Sequence, residues 1–215
     1  MIPVLGIPIL TGLDLLNNLL KTITVDVGHL VIIDNGNIVD EIIIGENIKR
    51  VSIVTMPNNI GVPAAWNLII KSTVSENVPW WMINNFDTEY TKSALNNIVR
   101  KSGRDQIVTS SRGWAAFTIG SGVIEKIGLF DEGFAPAYCE DLDYEHRARC
   151  GGIEIIKCDD AIKHHDHITA ADMKWNLKKM IDESTAQYVK KWGGVYREEK
   201  LTNAAELGWN IKQWI

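Results

Sequence analysis

The chain has 215 residues, 46% hydrophobic and 23% charged, which suits one substantial core in an ordinary globular protein. Its net charge of −5 argues against broad nucleic-acid affinity, which depends on neutralising phosphates with Lys and Arg. Three cysteines without paired zinc spacing argue against a disulfide framework and for a reducing, cytoplasmic compartment in which Cys139, Cys150 and Cys158 serve packing.

The apolar opening, 1–10, is broken by Pro3, Gly6 and Pro8 and has no basic lead, so neither a signal peptide nor an integral membrane segment is expected. Short apolar runs at 4–9, 29–34, 51–56 and 80–84 read as strands. Between the first two, Leu13, Leu16, Leu19 and Leu20 recur at helical spacing. Between the last two, 63–71 opens on Pro63 and carries Ala64, Ala65, Leu68 and Ile69. This alternation predicts a parallel sheet with crossover helices. Further on, 91–101 reads as a helix, 106–110 and 114–119 as strands, and 121–126 as a short helix capped by Ser121 and stopped at Gly128. Residues 140–150 predict a helix with Asp143/Arg147 and Glu145/Arg149 at i,i+4, ended by Gly151-Gly152 and followed by a strand at 153–157. The tail, 171–192, sets Met173, Leu177, Met180, Ile181, Tyr188, Val189 and Trp192 on one face, as in an amphipathic helix docked on the domain. One domain is expected, with halves at 1–100 and 101–170 and a helical tail at 171–215.

In parallel sheets, ligands bind beyond the carboxyl ends of the strands. Polar groups stand there: Asp34-Asn35-Gly36, Asn58-Asn59-Ile60-Gly61 and Asn84-Asn85-Phe86-Asp87, each directly after an apolar run. Each alone is also an ordinary turn sequence; the three together predict a crevice. Two further acidic groups follow, Gly128-Leu129-Phe130-Asp131-Glu132 and Glu140-Asp141-Leu142-Asp143. A carboxylate in the first crevice group suits a divalent cation on a diphosphate, and one in the last suits a base that activates an attacking hydroxyl.

These segments, in this order, resemble glycosyltransferase family 2, inverting enzymes of the GT-A fold. The match runs through Ile7-Pro8, Val31-Ile32-Ile33-Asp34-Asn35-Gly36, the stretch from Asn58 through Trp66 to Asn67, Met82 through Asp87 to Thr88, and Phe117 through Asp143, with His164-His165 and Thr169 as the histidine element. The resemblance implies a Rossmann-like three-layer sandwich and transfer of a hexosyl or deoxyhexosyl unit from a UDP- or dTDP-sugar. It implies that Asp34 reads the base and that Ile7, Pro8, Asn59, Gly61, Asn67 and Asn85 shape the donor pocket. Asp87 would be the main carboxylate for Mg²⁺ or Mn²⁺, with His165 as imidazole ligand and His164 in reserve. Asn85 replaces the first acid of the family's D-x-D element and removes one charge from that site. Asp141 would be the base, with Glu140 orienting it or binding the acceptor.

Alternatives stand beside several of these readings. Asp143 is better explained as the partner of Arg147. The run His164-His165-Asp166-His167 fits the second half of a metallo-hydrolase H-x-H-x-D-H element, but Ile162 stands where its first His belongs. Of eight tryptophans, Trp66 is the one placed in the donor segment and kept as a ligand contact; the others read as core or docking residues. The acceptor implied is a glycan or lipid-linked sugar. A hydroxymethylated DNA base, as used by compact phage enzymes, is the runner-up, favoured by Lys174, Lys178, Lys179, Lys190 and Lys191 and opposed by the overall acidity. A sugar-nucleotide-binding module without turnover, or a nucleotidyltransferase on a similar fold, is the alternative from another class. Trp209 and Trp214 in the apolar tail hint at an oligomer contact.

Overall fold

The computed structural model describes residues 1–165 and 168–202. Among the described residues, nine strands carry the architecture: β1 (Ile2–Ile9), β2 (Val27–Asp34), β3 (Val51–Thr55), β4 (Trp80–Asn84), β5 (Thr88–Tyr90), β6 (Ile107–Ser110), β7 (Gly113–Gly120), β8 (Ile155–Lys157) and β9 (Ile162–His164). Seven of them form one sheet in the order β3-β2-β1-β4-β7-β6-β8. The pairs β1–β2, β1–β4, β2–β3 and β6–β8 are parallel, and β7 runs antiparallel to both β4 and β6. The remaining strands, β5 and β9, make a separate antiparallel ribbon.

The helices are α1 (Leu13–Thr22), α2 (Val62–Thr73), α3 (Lys92–Lys101), α4 (Ser121–Ile127), α5 (Glu140–Cys150), α6 (Ile168–Asp172) and α7 (Leu177–Trp192). Because successive strand residues point to opposite faces, the sheet builds two cores. On one face Leu5, Ile7, Leu30, Ile32 and Met82 pack with Leu16 and Leu19 of α1 and Leu95 and Ile98 of α3. On the other, Val4, Val31, Ile33 and Ile83 pack with Ala65, Ile69 and Ile70 of α2, Val123 of α4 and Tyr144 of α5. Both faces being covered explains why the inner strands β1, β2 and β4 are largely apolar runs rather than alternating ones, whereas the edge strand β3 carries Ser52, Thr55 and an exposed Ile53. The result is the three-layer, mainly parallel GT-A sandwich. The inner strand β1 admits α2 closely at Gly6, where an added Cβ would lie 2.3 Å from an Ile69 methyl.

Sequence and structure part company in three places. The ribbon strands β5 and β9, three residues each, were not anticipated. The tail is not one docked helix: the chain turns at Lys174, which has φ 53, and α7 restarts with the Asn176 side chain accepting from Lys179 N at 3.0 Å. Of the predicted stripe only Tyr188 and Trp192 are buried, whereas Met173 and Ile181 are 44% and 38% exposed. Ser121 is the first helical residue of α4 rather than its cap.

All three cysteines are free thiols; Cys139 and Cys158 are buried as expected of packing residues, and Cys150 is exposed. Among the described residues, no helix is long and apolar enough to cross a membrane. Trp209, Trp214, Asp166 and His167 lie outside the described residues.

At the amino-terminal ends of β2 and β3, His29 Nε2 lies 2.8 Å from Ser52 Oγ and His29 Nδ1 lies 2.9 Å from Glu76 Oε1. The order Ser–His–Glu has the spacing of a hydrolytic triad. Here, however, the Arg50 guanidinium is 2.5 Å from the same Glu76 oxygen and 2.9 Å from Nδ1, competing for the carboxylate that would orient the imidazole. The large cavity described below does not reach these residues. The cluster ties two strands to the turn after α2.

Candidate active site

A cavity of about 550 Å³ opens at the carboxyl ends of the strands. Pro8, Ile9 and Leu10 reach it from β1, Asn35 from the end of β2, and Asn85, Phe86 and Asp87 from the turn after β4. Val62 and Trp66 enter from α2, Glu140 and Asp141 from α5, and His164 from β9. Buried side-chain polar atoms are normally hydrogen-bonded. Three that are not, Trp66 Nε1, Asp87 Oδ1 and Glu140 Oε2, belong to residues lining this one cavity.

The ribbon builds the Asp87 side. Thr88 pairs with His164 in register, and His165 N donates to Asp87 O at 3.1 Å, so the strand that follows Asp87 carries His164 back onto it. His164 Nε2 stands 3.3 Å from Asp87 Oδ1, an ion-pair separation without hydrogen-bond alignment. The next residue points elsewhere: His165 Nε2 is 3.4 Å from Glu89 Oε1. Lys163 meets the same oxygen at 2.6 Å, and its hydrogen bond holds the Glu89 carboxyl below the usual glutamate range. The structure therefore brings His164, rather than His165, to Asp87. Among the described residues, no group of three or more His, Cys, Asp or Glu side chains is placed to hold a metal ion by itself.

The opposite contribution comes from the start of α5. Tyr138 and Cys139 both adopt left-handed backbone, φ 78 and 66, immediately before Glu140. Non-glycine residues in that region are strained and persist only where surroundings enforce them, commonly at functional sites. This turn sends Glu140 and Asp141 into the cavity. Burial pushes the Glu140 carboxyl well above the usual range, and the neighbouring Asp141 charge adds to the effect. Burial likewise raises Asp141, against which its hydrogen bond from Leu142 N, at 2.8 Å, works.

Two residues later the chemistry reverses. Asp143 is fully buried, which would raise its pKa, yet Arg147 and Lys191 hold it below the ordinary value. Arg147 Nε approaches at 2.9 Å, Lys191 Nζ at 2.5 Å, and Trp192 Nε1 donates at 2.8 Å. Lys191 also bonds Asp131 at 2.8 Å, so α7 is anchored beneath α5 by a buried charge network. The i,i+4 partnership of Asp143 with Arg147 read from the sequence is the one found.

Several residues expected in the donor pocket act behind it. The Asp34 carboxylate is 1% exposed and accepts from the backbone N–H groups of Gly36, Ile38 and Val39 at 3.0 to 3.2 Å, shaping its own loop. Asn67 donates from Nδ2 to Phe130 O and accepts at Oδ1 from Phe130 N, both at 2.9 Å, and also reaches Glu132 at 2.8 Å. It clamps α2 to the Gly128–Glu132 motif, which Tyr144 of α5 grips at Gly128 O while Arg147 grips the preceding Ile127 O, each at 2.7 Å. That motif is thus scaffold for α5. Ile7 is core.

Pro8, Asn59, Trp66 and Asn85 do line the cavity. Asn59 Oδ1 also accepts from Gly61 N at 2.9 Å. Gly61 has φ +82, and an added Cβ would stand 3.0 Å from Pro136, whose carbonyl accepts from Val62 N. Lining residues given no individual role from the sequence include Asn35, Arg112, Trp114, Tyr138 and Trp175. Asn35 had a signal in its place after a strand; Tyr138 and Trp175 sit in irregular segments whose course no periodicity specifies.

No family model matches the chain, and no curated protein matches it. Solved structures do. Staphylococcus aureus TarS is 9% identical over 96% of this chain and 41% of that chain, with a TM-score of 0.55. The 1–349 portion of S. aureus TarS is 10% identical, covering 96% of this chain and 68% of that one at a TM-score of 0.56. The same portion in complex with UDP-GlcNAc is 11% identical, with 96% and 69% covered and a TM-score of 0.56. The chain spans less than half of the longest of these. At such identities the likeness is one of fold, and the fold is the one the sequence led us to expect.

Proposed function

We propose that this protein is an inverting glycosyltransferase that moves a hexosyl or deoxyhexosyl unit from a UDP- or dTDP-sugar to a hydroxyl acceptor. The observation that carries the reading is that Asp87 and Asp141 line one cavity, three of whose residues carry a buried polar atom without a hydrogen-bond partner. Its volume suits an activated monosaccharide, and a fold shared with a protein crystallised with UDP-GlcNAc supports a nucleotide-sugar donor.

In this reading the first 100 residues hold the donor and residues 101–170 serve the acceptor. Pro8, Asn35 and Asn59 border the nucleotide, and the diphosphate lies toward Asp87 and His164. Those two side chains would hold one Mg²⁺ or Mn²⁺, because Asp87 Oδ1 is buried without a hydrogen bond and an imidazole faces it. When bound, the cation would supply positive charge to the departing diphosphate. Asp141 accepts the proton of the acceptor hydroxyl while that oxygen bonds to the anomeric carbon and the bond to the diphosphate oxygen breaks. Attack opposite the leaving group inverts the anomeric centre. A glycan or lipid-linked sugar is the acceptor class proposed. A binding module would have no need of a half-buried carboxylate at Asp141 in the cavity wall.

The test is transfer from UDP-GlcNAc, UDP-glucose and dTDP-glucose to simple glycoside acceptors, with product configuration read by NMR, for wild type and Asp141→Asn. The reading expects an inverted product from the wild type, and donor binding without transfer from the variant. Unchanged transfer by Asp141→Asn removes the base assignment, and a retained configuration removes the single-displacement mechanism.

A further inference from the structure

We propose that the indole N–H of Trp66 is a specificity-determining hydrogen-bond donor to an oxygen of the transferred monosaccharide, an inference that rests on the sugar-nucleotide reading above. Buried indole N–H groups usually find a partner. Two others here do: Trp81 Nε1 donates to Thr73 Oγ1 and Trp192 Nε1 to Asp143 Oδ1, each at 2.8 Å. Trp66 is 2% exposed, lines the cavity, and its Nε1 has no partner.

The ring is not free to turn away. It packs edge-on against Phe117, with centroids 5.0 Å apart and planes at 73°, and against Phe130 at 4.9 Å and 64°. The adjacent Asn67 pins the Phe130 backbone through both its N–H and its carbonyl. An N–H fixed by packing before any ligand arrives selects a partner atom by position, which is what discrimination between similar hydroxyl patterns requires.

Its place along the cavity identifies the part of the ligand it meets. Trp66 follows, on α2, the Asn59–Gly61 turn that borders the nucleotide end. Its neighbour Phe130 stacks on Tyr144 at 4.2 Å, and Tyr144 is one turn along α5 from Glu140 and Asp141. The indole therefore lies between the nucleotide end and the base, where the sugar ring would sit. Because an indole N–H only donates, its partner is a hydroxyl or acyl oxygen. The charged diphosphate is instead drawn toward His164.

The experiment is calorimetric binding of UDP-GlcNAc, UDP-glucose and dTDP-glucose, and of UDP and dTDP, to full-length wild type and Trp66→Phe with Mn²⁺ present. The phenyl ring keeps apolar bulk but lacks the donor. Whichever sugar nucleotide the wild type binds should bind the variant five- to tenfold more weakly, with the parent nucleotide changed less than twofold. Equal losses for both ligands, or no loss, overturn the assignment. Should Trp66→Phe fail to fold, monodeoxy versions of the sugar decide with wild type alone: removal of one oxygen should weaken binding five- to tenfold, and a series that binds uniformly overturns the proposal. A wild type that binds none of these nucleotides overturns the sugar-nucleotide reading itself.

Discussion

Asp87, in the turn after β4, and Asp141, in the first turn of α5, line the same cavity. The first is delivered by the parallel half of the sheet. The second is held in place by the Gly128–Glu132 segment and the buried charges under α5. The proposed reaction rests on this pair, because in it the group facing the leaving diphosphate and the one that takes a proton would serve one sugar carbon.

Asp141→Asn should lower transfer by roughly 10²- to 10⁴-fold, the usual worth of a positioned general base. Its pH dependence follows from burial. The base works deprotonated and its pKa is raised, so the acid limb of kcat/KM should lie above the ordinary aspartate value of about 3.9. A rate profile whose acid limb falls at or below that value counts against Asp141.

Glu140→Gln should raise the thermal midpoint of the ligand-free protein, by about 2–4 °C if the gain is about 1 kcal/mol. A carboxyl whose pKa is raised on folding favours the native state while protonated, and that contribution is lost as pH rises through the native pKa. The gain should therefore appear above the ordinary glutamate range and vanish in acid. Melting curves at several pH values check it, and an unchanged or lower midpoint at neutral pH contradicts it.

Asp143→Ala should cost on the order of 3–5 kcal/mol, because it leaves Arg147 and Lys191 buried with a carboxylate missing. Here the sign is opposite. Asp143 is depressed in the folded state, so its stabilisation is present above the unfolded value of about 3.9 and fades as pH falls through the native one. Urea unfolding of the variant across that range measures it, and a loss under 1 kcal/mol at neutral pH would show the network to be dispensable.

The two histidines separate by metal response. With UDP present, Mn²⁺ should raise the melting temperature of wild type and of His165→Ala, since a ligand that binds only the native state stabilises it. His164→Ala and Asp87→Ala should lose most of that shift. If His165→Ala loses it while His164→Ala keeps it, the cation lies on the Glu89 side of the ribbon.

Much of the sheet could be read directly, because runs such as Val31-Ile32-Ile33 and Met82-Ile83 are buried on both faces and leave the sequence only one use for them. The helix at 140–150 was equally plain, bounded by acids at one end and Gly151-Gly152 at the other. Local pattern stops short where partners are distant. Asp34 and Asn67 were expected in the pocket through the family resemblance, but their side-chain atoms are taken by backbone groups that only the tertiary structure supplies. Trp175 falls inside the predicted tail helix, 171–192; the break at Lys174 puts it in the cavity wall. The ribbon strands β5 and β9, three residues each, carry too little periodicity to be seen, whereas the equally short β8 was marked by the Gly151-Gly152 stop before it.

The pairing of Thr88 with His164 has a last consequence. Neighbouring positions on a strand face opposite ways, so a slip by one place would bring the ammonium of Lys163 toward Asp87 and turn the imidazole outward. The electrical character of that wall is thus decided by the alignment of two very short segments, and an insertion or deletion between them would change it without altering any residue at the wall itself.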